Sequence, residues 1–131
     1  MVFHLLSDLL ARLRNASNLK LKEINVLNSK HCLNILLFLY ELGFLAGFKV
    51  LNIKLIKVFL RYSFNLSSFR YIRLLSKPTK PLYLKVNFLK NKNLYKLNYN
   101  SFIILSTNKG LLTLEMACFL NCGGKLLFEI F

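Results

Sequence analysis

The sequence predicts an α+β protein of two small domains: residues 1–66, with helices on a small sheet, and residues 67–131, mainly β with one helix. Three observations predict it. Leu5, Leu6, Leu9, Leu10 and Leu13, and then Leu33, Leu36, Leu37 and Tyr40, recur at helical spacing. Beyond Asn65-Leu66-Ser67-Ser68, a polar stretch that reads as the linker, the apolar residues fall into short alternating runs instead. A chain of 131 residues has room for one domain or for two small ones.

Taken in order, the first element is an amphipathic helix whose leucines make one face. Asp8 and Arg12 lie four apart on the opposite face, and Arg14-Asn15 follow. Two arginines near a helix end either solvate that face or clamp phosphates. Leu21 to Leu27 alternates weakly as a strand. Ser29 then caps a second helix that Gly43 ends, with Lys30 at its start. Phe44 to Val50 and Ile53 to Tyr62 read as a hairpin. Past the linker, Phe69 to Leu75 is a strand with a basic face. The two prolines of Ser76-Lys77-Pro78-Thr79-Lys80-Pro81 force a turn from which Lys77 and Lys80 project. Leu82 to Leu84 is a short strand, and the Lys- and Asn-rich stretch 87–100 reads as a surface excursion.

The stretch from Ser106 to Gly124 carries the most information. Phe102 to Leu105 is an apolar run, followed by Ser106-Thr107-Asn108-Lys109-Gly110 as a polar loop. A helix capped by Thr113 comes next, then Gly123-Gly124 as its left-handed stop, and a closing strand from Lys125 to Phe131. So placed, the loop sets Ser106, Thr107, Asn108 and Lys109 at a helix N-terminus, where backbone donors and the dipole suit phosphate. Taken alone, the same residues are ordinary turn and cap chemistry; the charge of the chain shifts that balance.

Nineteen Lys and Arg against five Asp and Glu leave a net charge of +14. The segment from Arg70 to Lys96 holds Arg70, Arg73, Lys77, Lys80, Lys85, Lys90, Lys92 and Lys96 without an acid. Charge so concentrated points to a polyanionic partner. A mean hydropathy of +0.45 keeps a membrane-associated protein as the alternative. The most apolar window, Cys32 to Phe48, is broken by Asn34, Glu41, Gly43 and Gly47, which favours a buried helix and strand over a bilayer crossing of about 20 residues. Cys32, Cys118 and Cys122 lack metal-site spacing and read as small buried apolar residues, so no metal or cofactor is expected. The histidines, His4 and His31, have no partner in a motif and the carboxylates are scattered, so no catalytic set emerges. Dominance of Leu, Lys, Asn, Phe, Ile and Tyr, without Trp, is the mark of an A+T-rich coding sequence. With no presequence in the reading, the expected source is an organelle that makes the protein itself, a mitochondrion first, with a plastid or a reduced-genome bacterium as the other choices.

Taken together, several elements make the chain similar to the family of small-subunit ribosomal protein S8. They are Ser7-Asp8-Leu9-Leu10-Ala11-Arg12-Leu13-Arg14-Asn15-Ala16, Ser29-Lys30, Gly43-Phe44, Ser76-Lys77-Pro78 followed by Tyr83, Ser106 to Thr113, and Gly123-Gly124. The resemblance spans essentially the whole chain. It implies a two-domain α+β protein of the small subunit that binds the central domain of its rRNA early in assembly, beside neighbouring ribosomal proteins and with no small-molecule substrate. In that family the C-terminal domain reads an irregular RNA helix, with the Ser-Thr loop against the minor groove. Carried onto this chain, the expected RNA-binding residues are Arg12, Arg14, Asn15, Lys30, Ser76, Lys77, Lys80, Tyr83, Ser106, Thr107, Asn108, Lys109, Thr113, Gly123 and Gly124. Asn108, Thr79, Pro81 and Lys125 depart from the residues usual in the family, Lys125 by replacing an acid with a base.

Overall fold

The computed structural model describes residues 2–76, 79–85 and 101–131. Two compact units emerge, Met1–Arg70 and Tyr71–Phe131. The α+β class expected from the periodicities is the one observed, with helices and a small sheet first and a mainly β region carrying one helix after it.

The first unit opens with α1 (Val2–Asn18), followed by β1 (Glu23–Leu27), α2 (Lys30–Glu41), β2 (Leu45–Val50) and β3 (Leu55–Leu60). The strands form an antiparallel sheet in the order β1-β3-β2. In β3, buried Ile56, Val58 and Leu60 alternate with half-buried Leu55, Lys57 and Phe59, the period of a strand with one face covered. Those residues form the core with Leu9, Leu10 and Leu13 of α1 and Cys32, Leu36 and Leu39 of α2. The predicted cap is present: the Ser29 hydroxyl accepts from the Cys32 amide at 3.1 Å. α2 ends where Gly43 takes φ +87, with Gly43 N–H donating to Tyr40 O and Phe44 N–H to Leu39 O, the bond pair of a Schellman motif. α1 ends the same way around Lys20 at φ 55, a stop that no glycine announces. The apolar window from Cys32 thus divides between a 12-residue helix and a strand. Among the described residues, no helix is long and apolar enough to cross a membrane.

The stretch read as a linker is instead a tight hairpin of β4 (Tyr62–Ser63) and β5 (Leu66–Ser67). Phe64 and Asn65 turn it with φ 52 and 63, the left-handed pair a two-residue turn requires. Its serines are committed to backbone: Ser67 Oγ donates to Phe69 O and Ser68 Oγ to Phe44 O.

The second unit is a five-stranded antiparallel sheet of β6 (Ile72–Leu74), β7 (Tyr83–Leu84), β8 (Phe102–Thr107), β9 (Gly110–Thr113) and β10 (Gly124–Ile130), with α3 (Leu114–Phe119) between the last two. The order is β6-β10-β8-β9, and β7 pairs with the start of β10. Leu105, Leu114 and Ala117 make a core under α3, joined by Leu84, Ile103, Leu112, Cys118 and Leu126. Cys32 and Cys122 are buried as expected, while Cys118 is half-buried. The strand expected over Phe69 to Leu75 is shorter, and its basic face is partly neutralised. Arg73 stands opposite Glu129 in the ladder and bonds its buried carboxylate at 3.1 Å. The Lys- and Asn-rich stretch 87–100 lies outside the described residues, as do Lys77 and Pro78.

Candidate nucleic-acid interface

Two expectations about Ser106 to Gly124 are corrected. Residues 106–113 are a β-hairpin, with Thr107 opposite Gly110 and the chain turning at Asn108-Lys109. Gly110 supplies the positive φ of +103. The polar tip is therefore four residues from the helix it was expected to abut, and α3 has only six residues, so an anion held at its N-terminus is not the geometry. The helix stop is also displaced. Asn121, at φ 53, is the left-handed residue, with Asn121 N–H donating to Cys118 O and Cys122 N–H to Ala117 O. Asn visits that region more readily than most residues because its short polar side chain can hydrogen-bond to nearby backbone.

Gly124 serves close approach. A Cβ on it would lie 2.3 Å from Ser106 O and 2.8 Å from the Thr107 methyl. Only a residue without a side chain lets β10 run this close to the end of β8, and the closeness sets the register of the site. Lys125 pairs with Ser106 on one side and with Tyr83 on the other. Directly opposed residues in antiparallel strands share a sheet face. Tyr83, Lys125 and Ser106 therefore form one row across three strands, on the face opposite Leu105 and Leu126. Tyr83 is 69% exposed, and Lys125 Nζ lies 6.0 Å from its ring centroid, at the edge of cation–π range. Desolvation by burial lowers the Lys125 pKa from the usual lysine value. The hairpin tip continues this end of the sheet with exposed Asn108 and Lys109, and exposed Lys85 follows β7 at the same end.

The other expected residues divide by what their side chains already do. Ser76 is buried; its hydroxyl donates to Leu126 O and accepts from Leu82 N–H at 3.1 Å. It ties the end of β6 to the bulge that shifts register between Leu126 and Phe128. Thr113 is buried and caps α3, accepting from the Met116 amide at 3.3 Å. The Thr107 hydroxyl closes the turn, donating to Gly110 O at 2.9 Å and accepting from Lys109 N–H at 3.2 Å. These three hydroxyls hold the fold. Gly123 is half-buried and Lys80 exposed.

In the first unit, Arg12, Arg14, Asn15 and Lys30 are exposed, and Arg12 bonds Asp8 at 2.8 Å and Asn25 O at 3.1 Å. Lys125 is the member of the row that spacing alone does not single out. The sign for it lay in the sequence, as the one cation in the closing strand, but its neighbours become visible only once three strands are in register.

The Ribosomal protein S8 family model matches residues 4–131. The small ribosomal subunit protein uS8m of Acanthamoeba castellanii is 37% identical over 126 residues, covering 96% of this chain and 98% of that protein. The small ribosomal subunit protein uS8 of Aliarcobacter butzleri is 34% identical, covering 99% of each, and that of Neorickettsia sennetsu is 31% identical, covering 97% of each. A match of this length, across both units and through the hairpin and glycine pair, places the chain in the ribosomal protein S8 family.

Proposed function

We propose that this protein is a structural component of the small ribosomal subunit, binding the central domain of small-subunit rRNA through its second unit and supporting assembly beside neighbouring ribosomal proteins. The observation that carries this reading is the row of exposed Tyr83, half-buried Lys125 and exposed Ser106, continued by exposed Asn108 and Lys109. It combines an aromatic plane, two cations and short polar groups at one end of the sheet. A-form RNA offers a shallow minor groove of hydroxyls and base edges, and bases pushed out of an irregular helix. Short polar side chains at the sheet end suit the groove, and a tyrosine suits an unstacked base. Residues 71–131 carry nine Lys and Arg against two Glu, one of them the buried partner of Arg73, so the affinity should be strongly salt-dependent. The likeness to a relative named uS8m, with the A+T-rich residue usage, supports a mitochondrial ribosome and an organellar gene.

Because the Thr107 hydroxyl belongs to the turn, the test joins Ser106→Ala with Asn108→Ala. Competition between the cognate rRNA helix and a regular duplex should show discrimination reduced by about 1 to 3 kcal/mol, with the salt slope unchanged. Lys80→Ala with Lys109→Ala should shallow the slope by about one unit for each phosphate no longer neutralised. Equal weakening on both RNAs by the first pair would return the hairpin tip to a turn and nothing more.

A further inference from the structure

The hairpin of β4 and β5 carries at its tip a phenylalanine that the first unit does not use. Phe64 is 97% exposed and sits at φ 52. Left-handed backbone is unfavourable for a bulky residue, and a ring wholly in water recovers none of that by burial. The hairpin beneath it is tied down. The Tyr62 hydroxyl donates to Leu21 O, Ser68 N–H donates to Arg61 O at 3.1 Å, and Ser67 and Ser68 bond backbone carbonyls. The ring is thus presented on a braced support.

The charges around this support are of one sign. Tyr62 and Leu60 reach the segment of Lys20 and Lys22 through Leu21 O and Lys22 O, and Arg61 and Arg70 flank the hairpin. All four cations are exposed. The adjoining acid, Glu23, is held by Lys57 at 3.2 Å, and no acid occurs from Leu42 to Leu114. An exposed aromatic ring among cations has the makings of a nucleic-acid stacking platform. Every base presents a π-face, and the surrounding cations meet the phosphates.

We infer that Phe64 is an RNA contact of the first unit, stacking on an unpaired base while Lys20, Lys22, Arg61 and Arg70 face the adjoining backbone. This goes beyond the function proposed above and rests on other residues. Phe64→Asn tests it cleanly, because Asn accepts positive φ, so the ring is removed without loading the turn. The full chain should keep its melting temperature and bind a full-length small-subunit rRNA transcript roughly tenfold more weakly, the size of one lost base–ring stack. The sequence has no Trp, so Phe64→Trp places a single fluorophore at the tip. Its emission should be quenched by the transcript in a full chain that still carries Ser106 and Asn108, and also in one with both replaced by Ala, at concentrations that saturate binding. Unchanged affinity in Phe64→Asn would overturn the inference. So would an indole emission in Phe64→Trp that is shielded only in assembled subunits and not by rRNA alone, which marks a protein neighbour. No loss on replacing Ser106 and Asn108, with the effect of Phe64 intact, would count against the function proposed above and not against this contact.

Discussion

The two units differ in what their sheets leave uncovered. In the first, the hydroxyls of Ser17, Ser29, Tyr62, Ser67 and Ser68 all bond to its own backbone, and the Asp8–Arg12 and Glu23–Lys57 pairs join exposed or half-buried groups at the surface, worth little each. In the second, Ser76, Thr107 and Thr113 are spent in the same way. Yet the row of Tyr83, Lys125 and Ser106 stays presented at one end. Hydroxyl-rich sequence is therefore a poor guide to a binding surface by itself. Of the Ser and Thr in the Ser106 to Thr113 signature, Thr107 and Thr113 build the support and Ser106 is exposed.

The sharpest way to break this contrast is at the glycine that makes the row possible. Gly124→Val drives a side chain into Ser106 O, a backbone atom 2.3 Å from the Cβ position, with no flexible neighbour to yield. Overpacking of this kind costs about 3 kcal/mol. Thermal unfolding followed by circular dichroism should show it, with rRNA binding lost in parallel; a near wild-type melting temperature would mean that the strands part easily here.

A second comparison separates support from surface among like residues. Ser76→Ala leaves the Leu82 amide and the Leu126 carbonyl without their buried partner, a loss of about 1 to 3 kcal/mol. Ser106→Ala, at an exposed position, should stay within about 0.5 kcal/mol of the parent while weakening rRNA binding. Urea denaturation of both variants checks the assignment, and comparable destabilisation would erase the distinction drawn between them.

The smallest effect concerns charge. Since burial lowers the Lys125 pKa, the folded state binds this proton less well than the unfolded chain. In the window between the lowered pKa and the usual value near 10.5, the unfolded state holds more protons, so stability should rise with pH there. Below the folded pKa the penalty on the charged form is present in full. The melting temperature of Lys125→Gln, compared with the parent across that window, should lack this contribution; identical slopes would place the ammonium in a fully solvated setting.

Local chemistry made much of this protein readable from residues alone. Ser29 and Gly43 bound α2 because a cap hydroxyl and a left-handed glycine act within one turn of chain, and Thr113 caps α3 for the same reason. The leucines of α1 and the alternation of β3 declare their buried faces through period alone. What the sequence left open depends on groups distant in the chain. Ser106 to Thr113 reads as a loop until β8 has a partner, because four residues become a strand only when a second strand accepts their hydrogen bonds. Asn121 rather than Gly123-Gly124 stops α3, since Gly124 is reserved for an approach to Ser106 that no local rule foresees. The row of Tyr83, Lys125 and Ser106 exists only in register: its members lie far apart in the sequence, and the antiparallel ladder alone decides that they share a face.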